Sequence, residues 1–403
     1  MKNIKFVIIN IFRIIIKLLL VFDKRNNNIF LFGNYPKPIG KNKRKEQFLH
    51  NTKYFFLYIS NYTNIKAIYL CDDKNMRKYF HDRGYSNVYS RYSFKGLYYT
   101  LRAKYWFTDY DASAVANTLL LGNAYLINLW HGIPLKKIVF DNVSNKQSLK
   151  MKIYYLLRLK NIFFIINSFL EQQHFKEAFC LSLPHFIQLG SPKNDIITTH
   201  IKDADMLMEN DFENIKSLHE QGKKIIIYMP TFRDTGKNVS NWLNSKNLRN
   251  ILRKNNIVIL CKLHPADENS IDLNSGVEYY KMKSNSDVYP ILKYTDAMIT
   301  DYSSINYDYL LLNKPIIYYV PDLEEYQEKC RGFYTPYSDF AVGTICTNEV
   351  EIINAIKDVN NNIDNHKNER KELCNKMFKF QDGHNCERVI EWVKSLDRKG
   401  NKF

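Results

Sequence analysis

Short apolar runs alternate with helix-like stretches along most of the chain. Most of these runs lack the polar alternation of a half-exposed strand, so we predict strands that are buried on both faces of parallel sheets. The predicted strands cover residues 29–33, 65–70, 105–108, 124–129, 162–166, 186–189, 225–229, 257–263, 277–280, 297–300 and 316–320. Strands that alternate with helices are typical of βαβ units, and the predicted fold class is therefore α/β.

Eleven strands are too many for one ordinary doubly wound domain, and 403 residues are enough for two. We place the boundary near residue 185, before the turn Gly190-Ser191-Pro192. The predicted organisation is an amphipathic helix in residues 1–25, one Rossmann-like domain in 26–185, a second in 186–375 and a C-terminal helical segment in 376–403.

The amino-terminal segment reads as a membrane-surface helix. Residues 4–22 are long enough to span a bilayer, but Lys5, Arg13 and Lys17 interrupt the apolar run. On a helix these three fall within one arc opposite Ile, Leu and Phe, the pattern of a helix that lies among lipid headgroups. The alternatives are a helix packed on the protein's own core and, as a minor option, a true span.

The charge is strongly basic, with 58 Lys and Arg against 41 Asp and Glu, or +17. Such an excess fits nucleic acid, an anionic membrane, a phosphorylated substrate or plain compositional bias. The sequence holds no RNP, zinc-finger or basic-zipper motif, so we expect no nucleic-acid partner. A mean hydropathy of −0.39 excludes a polytopic membrane protein. Seven widely spaced cysteines without a C-x-x-C motif fit reduced thiols in the cytoplasm.

Several common catalytic signatures are missing from the sequence. It contains no G-x-x-x-x-G-K-[ST], G-x-G-x-x-G, H-E-x-x-H or G-x-S-x-G. This argues against P-loop nucleotide use, nicotinamide binding by the usual fingerprint, zincin chemistry and α/β-hydrolase chemistry.

Four polar clusters each follow a predicted buried strand. They contain His131, Thr231, His264 and the pair Ser303-Ser304. Ligands of open α/β sheets bind at the carboxyl ends of the strands. The first cluster falls in the first predicted domain and the other three in the second, so we expect a ligand in the cleft between the domains.

Each of these residues also has an ordinary structural interpretation. Either histidine can stabilise a turn, and Thr231 and Ser304 can be helix N-caps. Asp308 suits the first turn of a helix because of the helix dipole. Lys193 and Arg233 can meet phosphate charge or lie solvated on the surface.

The motifs that carry a family resemblance are Trp-His-Gly at 130–132, Pro-Thr-Phe-Arg at 230–233, Lys-Leu-His-Pro at 262–265, the run 287–292, Thr-Asp-Tyr-Ser-Ser at 300–304, Asp-Tyr-Leu at 308–310, Lys-Pro-Ile at 314–316, Arg-Gly-Phe-Tyr at 331–334 and Phe-Gln-Asp-Gly at 380–383. Together, from about residue 100 to about 392, they resemble the CDP-glycerol glycerophosphotransferase family, which makes teichoic acids and related polyol-phosphate polymers, including some capsules. Little before residue 100 is diagnostic.

This resemblance implies a GT-B-type fold with two Rossmann-like domains and the active site between them. It implies transfer of glycerol phosphate from CDP-glycerol to an acceptor hydroxyl with release of CMP, without a metal or another cofactor. The acceptor would be lipid-linked or a glycan, and the enzyme would work at the cytoplasmic face of the membrane as a peripheral protein. The alternatives are CDP-ribitol or another CDP-alcohol as donor and, less favoured, a GT-B nucleotide-sugar glycosyltransferase.

The resemblance also implies a set of site residues, to which Arg233 is added for its charge near the expected pyrophosphate. The substrate-binding candidates are His131, Gly132, Ile133, Pro134, Leu135, Lys193, Pro230, Thr231, Arg233, Lys262, Leu263, His264, Ser303, Ser304 and Asp308. Ile133 replaces a frequent Thr, and Lys193 a frequent Arg. His131 is the candidate general base because it alone comes from the first domain. His264 is the second catalytic candidate, to bind the donor phosphates or steady the leaving CMP.

Overall fold

The computed structural model describes residues 25–35, 37–38, 44–141, 161–179, 181, 185–233, 239–263, 278–283, 286–329 and 332–398. The predicted amphipathic helix, apart from Arg25, and His264 lie outside these residues. Within the described part, no helix is long and apolar enough to cross a membrane.

The first half of the chain builds a seven-stranded parallel sheet in the order β5-β4-β1-β6-β7-β8-β9, accompanied by a small antiparallel β2–β3 pair. The strands are β1 Asn26–Gly33, β2 Lys37–Pro38, β3 Arg44–Lys45, β4 Lys66–Leu70, β5 Val88–Tyr89, β6 Ala103–Thr108, β7 Tyr125–Asn128, β8 Ile162–Ile166 and β9 Phe186–Gln188. The register pairs Phe30 of β1 with Ala67 of β4 and Tyr105 of β6. The strand order reverses at β1, as in doubly wound sheets.

The second half builds a six-stranded parallel sheet in the order β12-β11-β10-β13-β14-β15. Its strands are β10 Lys224–Met229, β11 Ile257–Cys261, β12 Tyr279–Lys281, β13 Ala297–Thr300, β14 Ile316–Tyr319 and β15 Thr344–Cys346. This order matches that of a Rossmann sheet, with the reversal at β10. The predicted α/β class with parallel strands is confirmed.

Helices cover the sheets and connect the strands. They are α1 His50–Tyr62, α2 Lys74–Asp82, α3 Phe94–Arg102, α4 Ala112–Val115, α5 Phe169–Phe179, α6 Asp195–Thr198, α7 Glu209–Glu220, α8 Lys246–Lys254, α9 Tyr289–Leu292, α10 Ile305–Tyr309, α11 Leu323–Lys329, α12 Tyr337–Phe340, α13 Glu349–Asn360, α14 Lys367–Met377 and α15 Asn385–Arg398. Short 3-10 turns include Pro192–Asn194 and Leu310–Leu312.

The central strands are buried on both faces because helices pack on each side of the sheets. Phe30, Leu31 and Phe32 of β1 are at most 1% exposed although their side chains alternate in direction. All five residues of β11 are buried as well. Continuous apolar runs are therefore the correct signature for these strands.

The structure departs from the sequence predictions at the ends of the sheets. The short edge strands β5 and β15 are absent from the predicted set, because each has only one buried residue and so forms no continuous apolar run. β9 pairs with β8 and so extends the first sheet, whereas the predicted boundary near 185 assigns its residues to the second domain. An apolar run of this length has the same sequence pattern in either sheet. Only the strand with which it pairs decides the sheet to which it belongs.

The C-terminal helix α15 returns to the first sheet. The Tyr105 hydroxyl of β6 donates a 3.4 Å hydrogen bond to the carbonyl oxygen of Val393. The Trp392 ring lies edge-on to Phe163 of β8, with 5.1 Å between the centroids. The end of the chain thus packs on the half of the molecule in which the chain begins.

Candidate active site

The loop after β7 presents His131 through a tight turn. The Asn128 side-chain oxygen accepts a 2.8 Å hydrogen bond from the Trp130 amide. Trp130 has a φ of +54°, in the left-handed region that residues with a side chain seldom adopt. The His131 ring then stacks on the rings of Trp130 and Tyr110, with centroids 4.4 and 5.0 Å away. The turn and the two aromatic faces hold the imidazole in one place.

The protonation of His131 follows from its surroundings. Its Nδ1 lies 3.1 Å from the carbonyl oxygen of Asp109, which can only accept, so Nδ1 carries the hydrogen and Nε2 the lone pair. Burial lowers the pKa of His131 to about 4; the Asp109 hydrogen bond opposes this shift and the charge of Lys193 adds to it. A neutral imidazole with an available Nε2 has the form that a general base needs.

A buried polar layer at the start of α1 supports this loop. The side-chain amide of Asn51 donates hydrogen bonds to the carbonyl oxygens of Leu129 and Trp130 at 2.9 and 2.8 Å. The Thr52 amide and hydroxyl both donate to the Asp109 carboxyl group. Burial raises the pKa of Asp109 to about 8 although the Thr52 hydrogen bonds oppose the shift.

A second imidazole belongs to the same layer. The His50 ring centroid is 5.9 Å from that of His131. Burial lowers the pKa of His50 to about 3, with contributions from His131 and Lys193. Residues 50–53 are absent from the predicted site. Their signal in the sequence is a polar run, His-Asn-Thr-Lys, directly before six apolar and aromatic residues in one helix.

The second half of the chain faces the His131 loop across a cleft. Residues 130–136 line a cavity of about 320 Å³ together with Thr231, Tyr302, Ser303 and Ser304. A Cβ atom on Gly132 would lie 3.5 Å from Ser304 Oγ, which shows how closely the two halves approach. The fold thus brings together His131, Gly132, Ile133, Pro134, Leu135, Thr231, Ser303 and Ser304.

Two hydroxyl groups on the far side of the cleft make no hydrogen bond within the described residues. The Thr231 amide donates to both oxygens of the Asp301 carboxylate, at 2.9 and 3.0 Å. Its hydroxyl is buried and has no hydrogen-bond partner within the described residues. Ser304 stands at the start of α10, but its side chain makes no capping hydrogen bond. Neither hydroxyl therefore serves as the helix N-cap that the sequence also allowed.

Lys193 and Asp308 form a buried ion pair behind the loop. Lys193 Nζ donates to Asp308 Oδ2 at 2.6 Å, to the His131 carbonyl oxygen at 3.2 Å and to the Tyr289 hydroxyl. The Tyr289 hydroxyl donates in turn to Asp308 at 2.7 Å. The pair joins the end of the first sheet to the second, and its charges compensate each other.

A second buried ion pair crosses between the two halves nearby. Lys53 of α1 donates to Asp287 at 3.0 Å, and the side chains are 0% and 5% exposed. The Tyr54 hydroxyl donates to the same carboxylate at 2.7 Å. Together the two pairs hold the His131 loop at a defined distance from the second sheet.

Arg233 lies behind the cleft rather than in its lining. Its guanidinium donates to Asp322 at 2.7 and 3.1 Å and to Asp301 at 2.8 Å. It also packs 4.8 Å from the centroid of the Tyr302 ring. Two carboxylates offset its charge, so this arginine orders the strand ends that carry Thr231 and Tyr302.

The remaining candidate site residues of the second half have different surroundings. The Lys262 ammonium donates to the carbonyl oxygens of Lys283 and Ser286, at 2.7 Å each. Leu263 is 4% exposed and belongs to the core. Pro230 is half-buried between β10 and Thr231. His264, the second catalytic candidate, lies outside the described residues. Within those residues, no group of three or more His, Cys, Asp or Glu side chains is placed to hold a metal ion.

Comparison with known proteins decides the family. Residues 41–395 match the model of the family described as CDP-glycerol:poly(glycerophosphate) glycerophosphotransferase. The chain belongs to this family. The transferase activity predicted from the motifs, with CDP-glycerol as the donor, is confirmed at the level of the family.

Relatives and solved structures agree with this assignment. The transferase is 29% identical to a teichoic acid poly(glycerol phosphate) polymerase of Bacillus spizizenii over 357 residues, which cover 84% of this chain and 85% of the relative. It is also 29% identical over 306 residues to the teichoic acid ribitol-phosphate polymerase TarL of Staphylococcus aureus, covering 72% of this chain and 51% of TarL. The solved structure of the wall teichoic acid polymerase TagF superposes with a TM-score of 0.71 at 20% identity, over 100% of this chain and 97% of that one. The transferase shares its two-sheet fold.

Proposed function

We propose that the transferase moves glycerol phosphate from CDP-glycerol to a hydroxyl of a lipid-linked or glycan acceptor, in the assembly of a teichoic acid or capsular polymer. The observation that supports this most is the cleft, where His131 on the first half faces Thr231, Ser303 and Ser304 on the second. The proposed arrangement is of GT-B type, with the acceptor side on the first sheet and the CDP-alcohol side on the second.

In the proposed reaction, His131 Nε2 removes the proton of the acceptor hydroxyl. The resulting oxygen attacks the phosphorus that bears glycerol, and the bond from this phosphorus to the bridging oxygen breaks. CMP leaves with that oxygen and its electron pair. A positioned base of this kind contributes about 10²–10⁴-fold to the rate.

The donor phosphates need positive or hydrogen-bonding groups on the opposite wall of the cleft. In this proposal the hydroxyls of Thr231 and Ser304 donate to phosphate oxygens, since neither makes a hydrogen bond within the described residues. Lys193 contributes its charge from behind the loop, where it already holds the carbonyl oxygen of His131. His264 completes the site in this proposal, as the group that steadies CMP.

A second donor, CDP-ribitol, is favoured by one finding. The ribitol-phosphate polymerase TarL is as similar to this chain as the glycerol-phosphate polymerase is, at 29% identity each. Both alcohols carry the same cytidine diphosphate, so a site that reads this group accepts either.

The proposed location is the cytoplasmic face of the cell membrane, as a peripheral protein. Its support is the basic stripe predicted in residues 1–25 and the net charge of +17, which suits an anionic lipid surface. No nucleic-acid partner is proposed.

The test is to incubate the purified full chain with CDP-glycerol, CDP-ribitol or a UDP-sugar and a synthetic lipid-linked acceptor. Released nucleotide and product mass are measured together. We expect CMP release and a product heavier by one or more glycerol phosphate units. Turnover with the UDP-sugar alone would overturn the proposal, and turnover with CDP-ribitol alone would replace the donor.

A further inference from the structure

An exposed aromatic surface stands out on the first half of the transferase. Tyr92 is 89% exposed, Phe94 88%, Tyr98 50% and Leu97 44%. These four side chains lie within seven consecutive residues and are called the aromatic surface below. Exposed apolar side chains normally occur singly, and a contiguous group marks a contact with something else.

The aromatic surface rests on a well-anchored element. The Ser93 hydroxyl caps α3 by accepting a 3.0 Å hydrogen bond from the Gly96 amide. A Cβ atom on Gly96 would lie 1.9 Å from the Ser90 carbonyl oxygen, so α3 packs closely on the preceding loop at that point. Phe94, Leu97 and Tyr98 follow the i, i+3, i+4 spacing and share one outward face of this helix.

The chain around the aromatic surface carries only positive charge. Residues 83–108 contain five basic side chains and no acidic one. Lys95 is exposed on α3 itself, with its ammonium 5.7 Å from the centroid of the Tyr89 ring. Exposed Lys66 lies 4.8 Å from the centroid of the Tyr99 ring. Arg91, directly before Tyr92, is paired with two carboxylates, Glu46 at 2.6 Å and Asp72 at 3.0 Å.

One end of α3 lies towards the sheet edge that carries His131, and the other end contacts Arg25. Tyr92 follows β5, at the sheet edge where His131 follows β7, and four strand spacings separate the two, roughly 19 Å. At the opposite end of α3, Arg25 donates to the carbonyl oxygens of Thr100 and Ala103 at 2.9 and 2.8 Å. Arg25 therefore lies beside the C-terminal end of this helix.

We propose that the aromatic surface inserts among the headgroups of an anionic lipid bilayer, with α3 lying flat in the interface. Aromatic side chains with one polar end prefer the headgroup region, and nearby lysines are attracted to anionic lipid. The lipid would hold the cleft edge of the first sheet close to its surface, within reach of a lipid-linked acceptor. This inference rests on the proposed acceptor and location, but it names a surface that is separate from residues 1–25.

The test is co-sedimentation of the full chain with vesicles of phosphatidylglycerol and phosphatidylcholine, and with phosphatidylcholine alone. The variant combines Tyr92→Ser and Phe94→Ser. The matched control is Val350→Ser, since Val350 is 68% exposed on α13 in the other half. We expect at least a tenfold lower partition coefficient on the anionic vesicles for the double variant and less than a twofold change for the control. CMP release with a soluble acceptor should stay unchanged in both.

Three results would overturn the inference. The inference fails if the double variant partitions like the unaltered chain. In that case residues 1–24 bind the membrane alone, or the aromatic surface is covered by residues 1–24 or by a second copy of the chain. If the control loses as much binding, the effect is not specific to α3. If the unaltered chain ignores anionic vesicles, the peripheral location fails with the inference. In each case CMP release from CDP-glycerol still tests the proposed reaction separately.

Discussion

The side-chain amide of Asn51 donates a 2.8 Å hydrogen bond to the carbonyl oxygen of Trp130, the residue whose positive φ turns the chain towards His131. The same amide donates to Leu129, and its oxygen accepts a 2.9 Å hydrogen bond from the Lys193 amide. Asn51 is fully buried, and these three bonds connect α1, the His131 loop and the 3-10 turn at Pro192–Asn194. One amide thus holds a strained turn that the loop would not keep unaided.

Replacing the side-chain amide of Asn51 should displace His131 but leave the binding of CDP-glycerol nearly unchanged. We expect Asn51→Asp to lower kcat about 100-fold, because it removes both donors from the turn, while KM for CDP-glycerol changes less than about threefold. Asn61→Asp on the same helix is the control, since the Asn61 side-chain amide donates to Leu57, Tyr85 and Lys202 and not to the His131 loop. Steady-state kinetics checks this, and an unchanged kcat would remove Asn51 from any positioning role.

The base assignment predicts a particular pH profile. Because burial lowers the pKa of His131 to about 4, the imidazole stays neutral above that value, and kcat/KM should fall only as pH drops towards 4. His131→Ala should lower kcat about 10²–10⁴-fold and abolish this acid limb. Rates from pH 4 to 8 are the measurement. Near-normal turnover of His131→Ala would refute the base assignment but not the family.

The Asp109 carboxyl predicts a pH dependence of stability. Its folded pKa of about 8 lies above the value of about 4 in an unfolded chain, so its proton stabilises the fold at low pH and this is lost as pH rises towards 8. Asp109→Asn keeps an acceptor for Thr52 but cannot ionise. From pH 5 to pH 8 the free energy of unfolding should fall by about 3 kcal/mol more in the unaltered chain than in the variant. Urea denaturation at both pH values measures this, and parallel curves would contradict it.

The ion pair between Lys193 and Asp308 should be costly to break from one side. Both side chains are at most 3% exposed, so Lys193→Met leaves a buried carboxylate unpaired and should destabilise the fold by about 3–5 kcal/mol. Adding Asp308→Asn should recover part of this loss. Lys78→Met removes an exposed pair with Asp82 and should cost less than about 1 kcal/mol. Equal losses in denaturant unfolding for the two single variants would show that burial is not the cause.

Substitutions of two serines that precede helices should have different effects, one on the binding of CDP-glycerol and the other on the stability of the fold. Ser304→Ala should raise KM for CDP-glycerol roughly tenfold, the equivalent of about 1.4 kcal/mol, with little change in melting temperature, because its hydroxyl caps nothing. Ser245→Ala removes a real cap, the bond from the Leu248 amide, and should cost about 1 kcal/mol of stability without changing KM. The opposite pattern would mean that Ser304 is structural.

The sequence was sufficient to predict the features that depend on local residue pattern and side-chain chemistry. Runs such as 225–229 and 297–300 are apolar without alternation, which is enough to place buried parallel strands. The motifs between residues 130 and 383, taken together, were enough to predict the family. The brief strand β5 and the sheet membership of β9 could not be predicted, because pairing partners supply that information rather than the strands themselves.

Local residue order was sufficient to predict the α/β class, the strand-end positions of the polar residues and the family. Which of those residues face the cleft, and which are paired behind it, depends on contacts between elements far apart in the chain. In the described part of the chain the hydroxyls of Thr231 and Ser304 make no hydrogen bond, whereas Arg233 and Lys193 are paired with carboxylates that lie 68 to 115 residues away along the chain. The physical reason is that a charge buried by folding must find a partner, and that partner comes from whichever element packs against it.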